Sequence, residues 1–333
     1  MPIATRLGKA DAAARPRNGC ENAPIADLLD KRLAFVTGKG GVGKTTVAYA
    51  LGAAAAARGK RTIVCEIASQ HRGPAIFGRR PASGETRLAK GLWTISIDPD
   101  TAVREYLQVQ LPVRAMGNLL HRSRLFNYLV AATPGLREMV TIGKVWELAQ
   151  DRRRDPGAKR TYDAVIVDAP ATGHGVAFMQ TPGNFRELAR VGPIARQAGV
   201  IERTIRDHEQ TGIAIVALGE EMAVNESLEL ESALLGPQEG EGFPVDRIFF
   251  NALYPQRFSP EQVERIAAAR ADAAPAAAGA LEAAANEAER ARAQRSQLER
   301  LRSSARTPLT ELPFVFAPRI GAAEIEGLAG AVS

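Results

Sequence analysis

The stretch Gly38-Lys39-Gly40-Gly41-Val42-Gly43-Lys44-Thr45-Thr46 decides how the rest of the chain is read. Its G-x-x-x-x-G-K-T spacing suits a loop whose consecutive backbone N–H groups curl around a β-phosphate, because glycine reaches the φ/ψ values needed and leaves no Cβ in the way. In such a loop Lys44 reaches the β- and γ-phosphates and Thr45 ligates Mg2+. The flanks agree with this reading. Leu33 to Thr37 (LAFVT) reads as a buried strand, and Thr45 to Arg58 (TTVAYALGAAAAAR) as an alanine-rich helix whose N-terminus turns its positive dipole end to the anion.

Outward from the loop, short β-rich runs alternate with helical segments: Thr62 to Ile67, Leu92 to Ile97, Asp163 to Asp168, Ile213 to Leu218, Arg247 to Asn251 and Pro313 to Phe316. Nearly continuous apolar strands separated by helices predict an α/β fold, a doubly wound and mostly parallel sheet covered on both faces, with ligands beyond the carboxyl ends of its strands. Two helical insertions interrupt the rhythm. In the first, at about 103–150, apolar groups recur at helical spacing: Met116, Leu119 and Leu120; Leu125, Phe126, Leu129 and Val130; Leu136, Met139 and Val140. They read either as core or as a hydrophobic groove that opens in one nucleotide state. The second, at about 260–306, is rich in Ala, Glu, Arg and Gln and broken at Pro275; it reads as a solvated arm with Glu287–Arg290 and Glu289–Arg292 pairs on its face. Residues 1–30 are expected to be a flexible lead-in, and 31–333 a single phosphate-loop domain.

With 45% hydrophobic and 24% charged residues the composition is that of a globular protein. No apolar run approaches the roughly 18 residues that span a bilayer, and no secretory signal stands at the start, so no integral membrane segment and a cytoplasmic location are expected. The net charge of +6 is spread among interspersed acids and bases, which favours anionic ligands without pointing to nucleic acid. Arg152-Arg153-Arg154 reads as a solvated turn or as a contact for acidic lipid or a partner. Cys20 and Cys65 are the only cysteines, which excludes a CxxC zinc site and a disulfide framework.

The strand ending in Asp168 continues Ala169-Pro170-Ala171-Thr172-Gly173-His174. An acid at the tip of an apolar strand beside the phosphate loop suits a water bound to Mg2+, and the glycine-containing turn after it suits a switch that moves with the γ-phosphate. With no second His or Cys at ligand spacing, His174 reads as a neutral hydrogen-bonding residue.

Lys39, directly after the first glycine, resembles the signature of the deviant Walker A ATPases. These include the arsenite-pump ATPases, the tail-anchored-protein targeting ATPases, the MinD and ParA positioning ATPases and the nitrogenase iron protein. There the signature lysine crosses a two-fold interface to the partner's nucleotide, so the resemblance implies a dimer that closes around ATP. The D-A-P-A-T-G-H run from Asp168 is similar to the D-x-A-P-T-G-H of the arsenite-pump and targeting family. Asn251 matches that family's adenine-binding asparagine, and Phe314 to Leu328 its loop around the base and ribose. The resemblance implies a Mg-ATP hydrolase, with Lys39, Lys44 and Asp168 as catalytic groups and Thr45 and Asp168 holding the metal. Gly38 through Thr46, together with Asn251, would bind the nucleotide.

One departure carries weight. Where the family has D-P-A-H after the second strand, its aspartate positioning the attacking water, this chain has Ala68-Ser69-Gln70-His71. Glu66 lies two residues earlier, its backbone further from the γ-phosphate. Tight ATP binding with slow intrinsic hydrolysis is therefore expected. The resemblance leaves three functions open. The first is an arsenite-pump-type ATPase, as a homodimer or heterodimer with a related chain, coupled to a membrane transporter or targeting partner. The second is an ATP-gated chaperone for hydrophobic tail anchors, and the third a positioning ATPase. Clustered thiolates for arsenite, and the CxxC that joins eukaryotic targeting dimers, are both missing from the sequence.

Overall fold

The computed structural model describes residues 26–67, 71–82, 84–110, 135–151, 161–189, 192–236, 242–271 and 273–332. Eight strands form one sheet: β1 (Leu33–Gly38), β2 (Thr62–Ile67), β3 (Thr86–Ala89), β4 (Leu92–Ile97), β5 (Ala164–Asp168), β6 (Thr211–Leu218), β7 (Val245–Leu253) and β8 (Leu309–Pro313). Their order is β3-β4-β2-β5-β1-β6-β7-β8. Neighbours run parallel throughout, except the β3–β4 hairpin at one edge. The fold expected from the alternating runs is the fold found.

Alternation along the central strands divides the core in two. Leu33 and Phe35 of β1, Ile63 and Cys65 of β2, Val165 and Val167 of β5 and Ile213 and Ile215 of β6 face one side of the sheet. Ala34 and Val36, Val64, Ile166, Ala214 and Val216 face the other. This is the period-two consequence of a pleated strand, and both faces are apolar because both are covered by helices. The first side is covered by α5 (Leu136–Leu148), α6 (Thr172–Ala189), α7 (Pro193–Arg206) and α8 (Glu221–Leu235), numbered after the earlier helices α1 (Ala26–Asp30), α2 (Lys44–Ala57), α3 (Arg72–Ile76) and α4 (Pro99–Gln110). The second side is covered by α2 and by α11 (Ala322–Ala331). Helix α2 can lie close to the sheet because Ala48, Ala50, Gly52, Ala54 and Ala55 of its buried face are small, and alanine is strongly helix-forming. Phe35 and Ile63 have no solvent exposure; truncating either to alanine would cost about 2–5 kcal/mol.

The insertions differ from expectation in part. Met139 and Val140 on α5 are buried in the core, so this portion of the apolar stripe is packing surface. The groups from Met116 to Val130 lie outside the described residues, as do Arg152-Arg153-Arg154 and Cys20. The second insertion is α9 (Pro260–Ala271) and α10 (Pro275–Ser304), with Pro275 at the first turn where its missing N–H costs nothing. It is not solvated throughout: Leu298 and Leu301 dock into the core. Glu287 pairs with Arg257 at 3.2 Å, while Arg290 bonds the Tyr254 hydroxyl at 2.9 Å.

Two strand assignments change. β3 is a short edge strand that the apolar pattern does not announce, half-exposed on most of its residues. β8 comes earlier than Pro313 to Phe316, since Phe314 and Phe316 stack with Tyr254 at ring-centroid distances of 4.3 and 5.7 Å. Their rings join an aromatic cluster beyond the sheet's carboxyl edge, which leaves the polar LTELP segment to extend it.

Candidate functional site

β1 stands at the point where the chain's winding reverses, with β5 and β2 to one side and β6 and β7 to the other. The crevice beyond the carboxyl end of such a strand is where doubly wound sheets bind ligands. The glycine loop fills it, running from the end of β1 directly into α2. Gly38 has φ 145°, and a Cβ there would lie 2.4 Å from the Val216 carbonyl oxygen of β6. Gly43 has φ 92°, and its Cβ would meet the Asn251 amide nitrogen at 2.3 Å. Both positions therefore demand glycine for two reasons, backbone conformation and space. Around Gly40 and Gly41 the space is open, with nothing within 4 Å of a built Cβ.

No side chain caps the N-terminus of α2. Its first-turn N–H groups and the positive end of the helix dipole are thus left without a side-chain cap, the arrangement that attracts an anion. Lys44, half-buried in the first turn, donates from Nζ to the Lys39 carbonyl at 2.8 Å, folding back over the loop. Burial lowers its pKa from the ordinary lysine value, and the nearby Arg72 charge adds to that against the pull of Asp168.

Asp168 ends β5 opposite Val36 of β1 and opposite Glu66 of β2. Thr45 donates its hydroxyl to Asp168 Oδ2 at 2.6 Å. Burial pushes the Asp168 carboxyl up to about 6, with Glu66 adding to the rise, while the Thr45 hydroxyl and the Lys44 and Arg72 charges restrain it. A threonine hydroxyl and one carboxylate are hard oxygen donors. Such a sparse set suits Mg2+, which keeps several waters and draws other ligands from phosphates. No cluster of three or more His, Cys, Asp or Glu able to cage a metal occurs among the described residues.

Asn251, 9% exposed near the end of β7, donates from Nδ2 to the Val42 carbonyl at 2.9 Å. It lies against the back of the phosphate loop with one of its two amide N–H donors committed to that carbonyl. The next residue, Ala252, has φ 58°, and Gln294 of α10 holds this turn by donating to the Ala252 carbonyl at 3.1 Å and accepting from the Tyr254 N–H at 2.8 Å. Lys39 makes a 2.8 Å ion pair with Glu226 of α8 in the same chain. Ala68, Ser69 and Gln70 lie outside the described residues. Thr172, Gly173 and His174 form the first turn of α6, where the sequence suggested a turn outside any helix.

Sequence reasoning did not find the role of Glu66. It is 1% exposed and takes three hydrogen bonds: from the Tyr49 hydroxyl at 2.6 Å, the Gly73 N–H at 2.5 Å and the Arg72 N–H at 2.9 Å. Burial first, then Glu66, drive the Tyr49 hydroxyl far above its ordinary pKa. A glutamate inside the apolar run TIVCEI was the available signal, since a buried acid needs committed donors. Arg72, whose Nη1 lies 3.1 Å from Thr45 Oγ1, carried no such signal.

A parallel doubly wound sheet, a glycine loop leading into a helix at its switch point, and an acid at the adjacent strand tip define a phosphate-loop nucleotide hydrolase. A family model for anion-transporting ATPases matches residues 31–199, about half of the chain, spanning that loop, Asp168 and α6. The chain belongs to the anion-transporting ATPase family and is an ATPase. Among its relatives is ATPase BagA of Mycobacterium tuberculosis, 29% identical over 251 residues, covering 74% of this chain and 72% of that protein. ATPase GET3 of Phaeosphaeria nodorum is 28% identical over 182 residues, 53% of each chain. ATPase ASNA1 homolog 1 of Paramecium tetraurelia is 29% identical over 155 residues, 44% of this chain and 43% of that protein. No helix among the described residues is long and apolar enough to cross a membrane.

Proposed function

We propose that this ATPase is a Mg2+-dependent dimer, a homodimer or a pair with a related chain, that closes around ATP in the cytoplasm and passes the motion to a transport or targeting partner. The observation that carries the reading is the 2.6 Å contact between the Thr45 hydroxyl and Asp168 beside Lys44, at the mouth of an uncapped helix. Gly38, Lys39, Gly40, Gly41, Val42, Gly43, Lys44, Thr45 and Thr46 form the nucleotide cradle. The backbone N–H groups hold the β-phosphate and Lys44 leaves the Lys39 carbonyl for the phosphate oxygens, a stronger acceptor for its charge. Thr45 and Asp168 hold Mg2+, which when bound neutralises charge on the β- and γ-phosphate oxygens. Asn251 braces the loop from behind and keeps its carbonyl for the adenine amino group. Lys39 serves the partner's nucleotide.

Intrinsic turnover is slow on this reading, because Ala68 stands where the family carries a carboxylate and Glu66 cannot replace it. All three donors around Glu66 are structural, so it is held away from water activation. The test compares wild type with Lys39→Ala and Lys44→Ala, measuring size and shape with and without Mg-ATP alongside phosphate release. Lys44→Ala should lose about a hundredfold or more in rate. Lys39→Ala should bind ATP yet fail to close into the dimer. Nucleotide that changed neither assembly nor shape in the wild type would end the dimer-switch reading, and fast unpartnered turnover would end the slow one.

A further inference from the structure

At the end of β2 the chain turns through His71, a non-glycine residue held at φ 46°, into the short helix α3. The turn is pinned from below: Glu66 accepts the N–H groups of both Arg72 and Gly73, and Tyr49 of α2 supports the same carboxylate. Space is tight there, for a Cβ on Gly73 would fall 1.9 Å from the Tyr49 hydroxyl oxygen. The strained turn is thus braced by a buried charge, and such strain is kept where it positions something. What it positions is the Arg72 side chain. The residue is exposed overall, yet its guanidinium reaches back to within 3.1 Å of Thr45 Oγ1.

Thr45 Oγ1 consequently has two partners, donating to Asp168 and accepting from Arg72. The hydroxyl that fits a Mg2+ ligand is also the acceptor for a permanent cation. A guanidinium and a divalent ion cannot sit together on one oxygen without strong repulsion at contact distance. We infer that Arg72 is a third cation of the phosphate site, in cis, which competes with Mg2+ for Thr45 and turns its planar fork onto the phosphate oxygens of a nucleotide. The inference rests on the phosphate-loop reading above and adds to it. Arginine suits the task, since it never loses its proton and meets phosphate through two parallel N–H bonds. Its exposure matters too: with little desolvation to overcome, the side chain can leave Thr45 and swing while the Glu66 clamp keeps its backbone still. The consequence is a site that can hold a triphosphate without metal, Arg72 supplying part of the charge that Mg2+ otherwise brings.

The experiment is a calorimetric titration of the full chain with a slowly hydrolysed ATP analogue, once in EDTA and once in excess Mg2+, for wild type, Arg72→Ala and Arg72→Lys. Loss of a charge-assisted bond predicts that Arg72→Ala weakens metal-free binding about tenfold or more. With Mg2+ present the loss should stay under about threefold, since the dication takes over that charge. Arg72→Lys, which keeps charge but not the fork, should fall between and preserve the fold if the alanine variant does not. Equal weakening in EDTA and in Mg2+, or no weakening in either, would overturn the assignment while leaving the nucleotide site intact. Absence of binding by the wild type in Mg2+ would instead overturn the proposed nucleotide site, and this inference with it.

Discussion

Asp168 shows how one side chain can be costly to the fold and useful to the site. Its carboxyl is pushed up to about 6 chiefly by burial, against an unfolded value near 4, so the folded chain binds a proton more tightly than the unfolded one. The sign follows from linkage. Stability from this group is fully present below about pH 4 and is lost as pH rises through about 6, where the buried carboxylate must ionise. Two units correspond to about 3 kcal/mol at most, and the Thr45 and Lys44 contacts are already counted in that balance. Melting the metal-free protein in EDTA should therefore show a component that falls between about pH 4 and 6. Asp168→Asn should flatten that component and leave the variant the more stable of the two at pH 8, by about 1–3 kcal/mol. A slope unchanged in the variant would mean that another group sets it. The same substitution removes the anionic oxygen proposed for Mg2+, so gain in stability and loss of metal-dependent turnover should appear together.

At the scale of elements, the join between β2, α2 and α3 depends on one buried acid. Glu66 has three protein donors, and replacing it by glutamine removes the charge and turns an NH2 group toward N–H and O–H donors. Leaving such a donor unsatisfied costs about 1–3 kcal/mol, and the charge-assisted bonds add to it. Tyr49→Phe removes one of those donors and also the 2.7 Å contact with Thr94 of β4, for about 1 kcal/mol. Because the two residues share a bond, their effects in denaturant unfolding should fall short of additive by about 0.5–3 kcal/mol, and strict additivity would contradict the shared network. This join also marks the limit of what the chain discloses before folding. β2 and β4 are legible to the residue, since a six-residue apolar run with β-branched side chains has few other uses. β3 is not, being four residues of which only Leu88 is buried, held to the sheet edge by pairing with β4. β8 is misread because Phe314 and Phe316 outweigh LTELP in apolar content, and only the fold reveals Tyr254 waiting for them. The glycine loop is legible because its constraint is local, covalent spacing and φ. Arg72 is not, because its place on Thr45 depends on where a strained turn aims it.

Across the whole molecule, the strand order brings together groups that are far apart in sequence. β6 and its following helix α8 lie on the far side of β1 from Asp168, which puts Glu226 over the start of the phosphate loop and within 2.8 Å of Lys39. If Lys39 serves a partner's nucleotide, as proposed, this intramolecular pair must open first, and its strength sets a threshold for closing the dimer. The threshold is low. Both side chains are about one-third exposed, and ion pairs in such settings contribute only about 0–1 kcal/mol. That is enough to bias an equilibrium and too little to block it. Glu226→Gln should therefore leave the melting temperature nearly unchanged while shifting the concentration for half-dimerisation in Mg-ATP downward by up to about fivefold for each chain whose pair must open. The shift should shrink as salt is raised, because the competing pair is screened. The combination with Lys39→Ala separates the explanations: if Glu226 acts by restraining Lys39, Glu226→Gln has nothing to release in the Lys39→Ala background, and light scattering should find the same assembly with or without it.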